Sequence, residues 1–199
     1  MAKHVTSLGR IAFNSIITPR TSDFGKTSWD VGMVLTEKDS QSIFQAIEDE
    51  IARFRDTNPK GRDLPKNDKL KMPWRQSVRQ NEDGEKVPVD GEFLWVFKRP
   101  ISYPDRRNGG ETKNTPPLIY DSMGKIVTDM QEVPNQTTGK VVYEVGIYNR
   151  MGNSGVTLRL VGFQIAELGA GSDVQLTPIE GGTFVKEEDS ADIGALLGA

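Results

Sequence analysis

The 199-residue chain contains no cysteine, a single histidine and no long apolar run. Without thiols it can form neither disulfides nor thiolate zinc sites, and nothing in its composition requires an oxidising compartment. His4 alone cannot supply a catalytic triad or the usual histidine acid–base chemistry. No segment approaches the roughly 20 apolar residues that span a bilayer, and the N-terminus lacks a signal-peptide core. We therefore expect a cytoplasmic protein with no membrane partner.

Phosphate-binding loops of the common kinds are also missing. The sequence has no GxxxxGK[ST] loop, and no GxGxxG turn follows a strand. A carboxylate-only magnesium site at Asp121, Asp129 and Glu144 stays open, although their spacing does not favour it. We predict that the protein is not an enzyme and uses no cofactor, with a metal-dependent nuclease as a minor alternative.

Charge is distributed unevenly along the chain. The formal net charge is −3, yet residues 53–125 contain sixteen Lys or Arg against eleven Asp or Glu. Residues 187–199, in contrast, contain four acidic residues and no cation. Blocks of opposite sign predict a site for a polyanion and a tail that competes for it. The alternative is an ordinary solvated surface with a solubilising end.

Alternating apolar residues predict a mostly β protein. Strands are expected at residues 8–17, 28–35, 92–99, 118–127, 140–149 and 155–167. Asn and Gly between the last two make that link a natural turn. The pattern predicts an all-β fold with one inserted helix, a small antiparallel barrel of the OB type with long loops, and a sandwich is the alternative. Residues 1–168 would form this domain, and residues 169–199 a flexible Gly-rich and then acidic tail.

One helix is predicted at residues 38–55. Ile43, Ile47 and Ile51 recur at helical spacing, and Asp39 or Ser40 is placed to cap the first turn. The stretch 56–90 that follows has four prolines and no sustained periodicity, so it is expected to be a long loop.

The stretch FLWVFKRPISYPDRR, residues 93–107, alternates large rings and then becomes cationic. On a strand, Phe93, Trp95 and Phe97 would share one face. Because a small barrel is filled by side chains of modest size, Leu94 and Val96 are expected inside and the rings outside. Exposed rings in a row could stack unpaired bases. The alternative is that the rings pack as core beneath the helix or a loop.

Other rings lie near cations in the same way. Trp74 stands in the cationic segment KLKMPWRQSVR, and Tyr148 shares a strand face with Arg150. The predicted nucleic-acid-binding residues are therefore six rings and eight cations. They are Phe93, Trp95, Phe97, Trp74, Tyr103 and Tyr148, with Lys69, Lys71, Arg75, Lys98, Arg99, Arg106, Arg107 and Arg150.

Three segments carry a family resemblance: GRIAFNSIITPR, DSQSIFQAIEDEIARF and GKVVYEVGIYNRMGNSGVTLRLVGFQIAEL. With its acidic end, the chain resembles the single-stranded-DNA-binding proteins of tailed phages, the group related to the replication protein of short-tailed coliphages. The resemblance implies an oligonucleotide/oligosaccharide-binding (OB) barrel, single-stranded DNA as ligand and no cofactor. It also implies a role in phage DNA replication, recombination and repair in the host cytoplasm.

The resemblance further implies that the tail recruits a polymerase or helicase and competes with DNA. The tail residues concerned are Glu187, Glu188, Asp189 and Asp192, with Ile193, Leu196 and Leu197 as a short apolar anchor. Many such tails end in an aromatic residue, whereas this chain ends in Leu-Leu-Gly-Ala. A partner pocket for a terminal ring is therefore not expected.

The sequence thus predicts sequence-independent binding of single-stranded DNA by base stacking and phosphate contacts. The sequence does not decide whether the protein also associates with itself. A rival reading is a phage structural or assembly protein, in which the same rings form an interface between barrel subunits.

Overall fold

The computed structural model describes residues 2–61, 63–105, 109–150 and 152–169. Within these ranges the chain forms eleven strands, one α-helix and a 3-10 turn at Asn67–Lys69. The strands are β1 (Lys3–Val5), β2 (Gly9–Asn14), β3 (Arg20–Thr21), β4 (Thr27–Thr36), β5 (Trp74–Gln80), β6 (Lys86–Pro100), β7 (Ser102–Pro104), β8 (Glu111–Lys113), β9 (Leu118–Tyr120), β10 (Thr138–Arg150) and β11 (Asn153–Glu167). The helix, α1, spans Glu37–Thr57.

Five of these strands close into a barrel. Strand β2 pairs with β4, β4 with β6, β6 with β11, β11 with β10, and β10 returns to β2. All of these pairings are antiparallel except β6–β11, which is parallel. This is the five-stranded Greek-key closure of the OB fold. The predicted barrel is confirmed, and the alternative of a sandwich is not formed.

The predicted helix is confirmed, with a different first residue. Thr36 is the N-cap: its hydroxyl accepts from the Asp39 N–H at 3.2 Å and donates to the Asp39 carboxylate at 2.6 Å. Ser40 lies inside the first turn instead, where its hydroxyl donates to the Thr36 carbonyl at 2.8 Å. Ile43, Ile47 and other buried residues of α1 then pack on the barrel.

The predicted orientation of strand β6 is wrong. Trp95 and Phe97 are fully buried in the barrel, while Leu94 and Val96 project to the other face. Buried residues of α1 belong to the same core cluster as these rings, so the helix adds to the interior in which they pack. The Trp95 indole N–H donates to Ser40 Oγ of α1 at 2.9 Å, which ties the helix to the strand. The alternative, in which the rings pack as core beneath the helix, is the observed one.

The predicted long loop at residues 56–90 is only partly a loop. It contains the 3-10 turn, strand β5 and the first part of β6, which pair as a hairpin. Both faces of this hairpin are largely exposed, so its sequence shows no apolar alternation from which to predict strands. The strand predicted at 118–127 is shorter than expected, because Asp121 begins a turn that leads back to a bridge at Ile126.

Several predicted residues lie outside the described parts of the chain. They are Arg106 and Arg107, and the tail residues Glu187, Glu188, Asp189, Asp192, Ile193, Leu196 and Leu197. Within the described ranges, α1 is not apolar enough to cross a membrane.

Tyr120 gives the fold a predictable response to alkaline pH. Its side chain is 1% exposed, and its hydroxyl has no hydrogen-bond partner among the described residues. Burial raises the pKa of Tyr120 from 10.0 to about 12. The unfolded chain therefore loses this proton first, so stability is complete below about pH 10 and falls as the pH rises to about 12.

We expect Tyr120→Phe to reduce this alkaline loss and to raise stability at neutral pH by up to about 1 kcal/mol, because no hydrogen bond is given up. Urea unfolding at neutral pH and at about pH 11 measures both effects. Tyr103→Phe, which alters an exposed ring, is the control. An equally steep alkaline loss in Tyr120→Phe would assign the effect to another group.

Candidate nucleic-acid interface

An open groove crosses the outer face of the barrel above β6. Its volume is about 510 Å³, and its floor includes Val96 of β6 with Val156 and Thr157 of β11. Val96 can form this floor because Trp95 and Phe97, its neighbours along the strand, point into the core. The inward rings and the outward groove are thus two consequences of one strand orientation.

One wall of the groove is the ring of Phe13 at the end of β2. A register shift between Ile11 and Phe13 sends these residues to opposite faces, so Ile11 is in the core and Phe13 is half-buried outside. The ring lies on Gly32 of β4, where a Cβ would come within 2.2 Å of it. Gly32 therefore provides the space that places Phe13 against the barrel.

The opposite wall is the ring of Tyr148 on β10. Tyr148 pairs with Gly155 of β11, and a Cβ at Gly155 would lie 2.6 Å from the tyrosine hydroxyl. The absence of a side chain at Gly155 thus lets the ring lie across the neighbouring strand, where it lines the groove.

The segment 71–74 forms the edge between these walls. It lies between β6 and β11: the Val156 N–H donates to the Lys71 carbonyl and the Val96 N–H to the Pro73 carbonyl, both at 2.9 Å. Met72, Pro73 and Trp74 of this segment line the groove. Backbone hydrogen bonds to both strands therefore hold the third ring, that of Trp74, in position.

Trp74 has one side in the core and one in the groove. Its ring packs on Phe93 at 5.0 Å and on Phe44 of α1 at 5.7 Å between centroids, both edge to face. The residue is half-buried and lines the groove beside Arg75. The aromatic cluster beneath Trp74 fixes the plane of its exposed part.

Cations surround the three rings. Arg75 and Lys98 are exposed and line the groove itself. Arg20 lies 5.8 Å from the centre of the Phe13 ring and pairs with the buried carboxylate of Asp30 at 2.9 Å. Asp30 also accepts from the Ser15 hydroxyl at 2.6 Å, so it anchors the start of the loop after β2. The groove therefore combines flat apolar surfaces with positive charge.

The predicted binding residues separate into three groups. Trp74, Arg75, Lys98 and Tyr148 line the groove. Lys71 is exposed on the bridging segment, and Lys69 and Arg150 are exposed in the adjoining 3-10 turn and at the end of β10. The remaining described ones lie elsewhere: Trp95 and Phe97 in the core, Phe93 beneath α1, Tyr103 on the β7–β8 hairpin and Arg99 at the β6–β11 junction.

Sequence reasoning missed Phe13, Met72, Val96 and Thr157 as groove residues. On an unbroken strand Phe13, two positions after Ile11, would share its inward face, and a bulge between them cannot be read from the apolar pattern. Val96 was assigned to the interior. Gly32 and Gly155 pair with the ring residues Phe13 and Tyr148 on neighbouring strands. This pairing marks the groove, but it is visible only once the strand register is known.

The groove is suited to a ligand that has flat faces and negative charge. In the described parts of the chain, no group of three or more His, Cys, Asp or Glu residues is arranged to hold a metal ion. Asp121, Asp129 and Glu144 accordingly do not meet.

No family model matches the sequence, and no curated protein matches it. Solved structures do match: gp2.5, a single-stranded-DNA-binding protein of bacteriophage T7, aligns with a TM-score of 0.59 at 18% identity, over 89% of this chain and 99% of that one. The single-stranded-DNA-binding protein of bacteriophage Enc34, in complex with single-stranded DNA, aligns with a TM-score of 0.58 at 9% identity, over 88% and 89%. A second structure of the Enc34 protein aligns with a TM-score of 0.55 at 10% identity, over 94% of this chain and 89% of that one.

These structural neighbours are phage single-stranded-DNA-binding proteins, as the resemblance predicted, and the OB-type fold is shared with them.

Gly32 provides a test of how Phe13 is held. We expect Gly32→Ala to lower stability by about 1–3 kcal/mol, because its Cβ would overlap the Phe13 ring and force it away from β4. Gly146→Ala is the matched control on the same outer surface: its Cβ would meet the Thr157 methyl group at 3.1 Å and the Thr157 carbonyl oxygen at 3.8 Å, so it should cost under about 1 kcal/mol. Urea unfolding of both variants measures the difference, and equal stabilities would contradict this account of the wall.

Proposed function

We propose that the protein binds single-stranded DNA, independently of sequence, in the groove above β6. The observation that carries the proposal is the placement of three partly exposed rings, Phe13, Trp74 and Tyr148, around one open groove with Arg75 and Lys98. A duplex hides the faces of its bases, whereas a single strand presents both bases and phosphates to such a surface.

Stacking and charge would divide the work of binding. Each base stacked on a ring contributes roughly 1–3 kcal/mol whatever the base, since every base has a flat π face. Lys98 and Arg75 would contact phosphates, and the affinity should then fall with salt with a log–log slope of about −0.7 for each phosphate neutralised. Lys71, Lys69 and Arg150 would extend the positive surface at the groove entrance.

The structural neighbours support this proposal. They are described as single-stranded-DNA-binding proteins, and one of them is in complex with single-stranded DNA. The same barrel architecture presents an outer face across its second and third strands, which OB folds use for oligonucleotides. Here these strands are β4 and β6: Gly32 of β4 lies beneath the Phe13 ring, and Val96 of β6 lines the groove.

We further propose a non-catalytic role in phage DNA replication, recombination and repair in the host cytoplasm. The acidic residues 187–199 would recruit a replication partner such as a polymerase or helicase, and would compete with DNA for the basic groove. The support for the tail's role is its charge: four carboxylates and no cation, opposite in sign to residues 53–125.

Trp74 should be the fluorescent reporter of binding. It is the only tryptophan in the groove, since Trp29 is 6% exposed and Trp95 is not exposed at all. We expect single-stranded DNA to quench the intrinsic fluorescence, and Trp74→Phe to abolish most of this quenching and to weaken binding several-fold, because a smaller ring stacks less well.

Trp29→Phe is the matched control. Trp29 is 6% exposed and does not line the groove, so the smaller ring should lower stability by about 1–3 kcal/mol while leaving quenching and affinity intact. Fluorescence titration with an unstructured oligonucleotide, beside the matching duplex, makes both measurements. Absence of quenching in the unmodified protein would favour the rival, in which the rings form a subunit interface, and DNA-independent oligomers would then be expected.

The tail proposal predicts a gain of affinity on truncation. Deleting residues 187–199 should tighten DNA binding at low salt, and the gain should shrink as salt screens the attraction between tail and groove. A variant with Glu187, Glu188, Asp189 and Asp192 replaced by their amides should behave like the truncation. Unchanged affinity at low salt in both variants would exclude intramolecular competition.

A further inference from the structure

The groove ends where β6 meets β11. These parallel strands are in register at only two pairs, Phe97 with Leu158 and Lys98 with Arg159. Lys98 and Arg159 are both exposed and lie side by side on the outer face, one strand spacing of about 4.8 Å apart. Two like charges in adjacent positions repel each other, so an anion placed between them would be stabilising.

Arg159 also lines a second pocket, on the other side of this junction. We call it the junction pocket; its volume is about 470 Å³, and Arg99, Arg159 and Glu144 contribute its charged groups together with Lys3. The far wall is formed by residues 114–118. The junction pocket therefore adjoins the groove at the Lys98–Arg159 pair, since Lys98 lines the groove and Arg159 lines the pocket.

Arg99 is held in place by neutral groups. Its guanidinium donates to the Leu160 carbonyl at 3.4 Å and to the Thr115 hydroxyl at 3.1 Å, while its buried Nε has no partner among the described residues. These bonds fill the gap that opens where β6 and β11 diverge. They orient the guanidinium without neutralising its charge.

The negative charge of Glu144 offsets only part of the positive charge of the junction pocket. Glu144 approaches Arg159 at 3.6 Å, which is long for an ion pair. Burial, and the positive charge of Arg159, lower the pKa of Arg99, and the opposing effect of Glu144 is smaller. The junction pocket thus has an excess of positive charge.

We propose that the junction pocket binds a phosphate of the same DNA strand that occupies the groove, with Arg159 as its main contact and Arg99 as a second donor. The proposal rests on the proposed function and deepens it, because it gives the path of the DNA strand over the protein. The strand would leave the groove, cross the β6–β11 junction and run toward residues 114–118. When DNA is absent, the Glu144 carboxylate interacts with the Arg159 guanidinium, and this competition weakens phosphate binding by Arg159.

Two opposite substitutions test the proposal. Arg159→Gln should weaken binding of an oligonucleotide of about sixteen nucleotides by roughly threefold to tenfold and make the salt slope less steep by about 0.7. Glu144→Gln should tighten binding of the same oligonucleotide, because it removes the competing carboxylate. The Arg159 side chain is half-exposed, and Glu144→Gln keeps the size of a side chain that is 16% exposed, so both variants are expected to fold, which urea unfolding checks.

A short oligonucleotide separates this site from the groove. With about four nucleotides, enough for the groove alone, Arg159→Gln should bind as the unmodified protein does and should quench Trp74 equally. Lys38→Gln, which removes an exposed cation on α1, is the control for a general loss of positive charge and should have no effect at either length.

The outcomes distinguish the two proposals. If no oligonucleotide quenched the fluorescence of Trp74, the proposed function itself would be overturned. Normal quenching with unchanged affinity and salt slope for Arg159→Gln at both lengths would overturn the junction pocket alone. If Arg159→Gln left DNA affinity unchanged in a protein that lacks residues 187–199 and altered it only in the full chain, the pocket would bind the tail instead, and the proposal would be wrong.

Discussion

The short parallel contact between β6 and β11 is the constraint on which the rest of the structure depends. A five-stranded barrel needs this contact to close, yet only two residue pairs are in register. Each end of the contact is completed by other groups: the segment 71–74 bonds to both strands on one side, and Arg99 fills the gap on the other. The groove lies above the segment 71–74, and the junction pocket lies beside Arg99. At both places the barrel wall is formed by groups other than paired strands.

The helix determines which face of β6 is available to a ligand. Trp95 reaches α1 through the bond from its indole N–H to Ser40, and Phe44 of α1 packs against Trp74, Phe93 and Trp95. With the large rings turned inward, the small Val96 is left outside as the floor of a groove. Trp74 contacts the aromatic cluster on one side and lines the groove on the other. The stability of the cluster and the geometry of the groove are therefore coupled through this side chain.

The sequence was sufficient for the architecture and insufficient for the site. The terminal hairpin and α1 have strong local periodicity, and they are predicted to within a few residues. Alternation along residues 93–97 correctly put the rings on one face, but it cannot say which face is inward when a distant helix decides this. The bulge after Ile11 and the β5–β6 hairpin, exposed on both faces, leave no apolar pattern to read. Trp74, Arg75, Lys98 and Tyr148 were chosen as rings among cations, a pattern that is visible without knowledge of the fold, and all four line the groove.

The proposed binding of a single strand, independent of its sequence, follows from the positions of the rings and the charges. Stacking on rings such as Phe13, which carries no hydrogen-bonding group, does not distinguish one base from another. Arg99, in contrast, is fixed by the Leu160 carbonyl and the Thr115 hydroxyl, and Lys98 and Arg159 are fixed beside each other by strand register. A flexible polyanion can adapt its phosphates to these fixed cations while its bases turn toward the rings. A duplex has neither freedom, since its bases are stacked on one another and its phosphates follow a rigid helix.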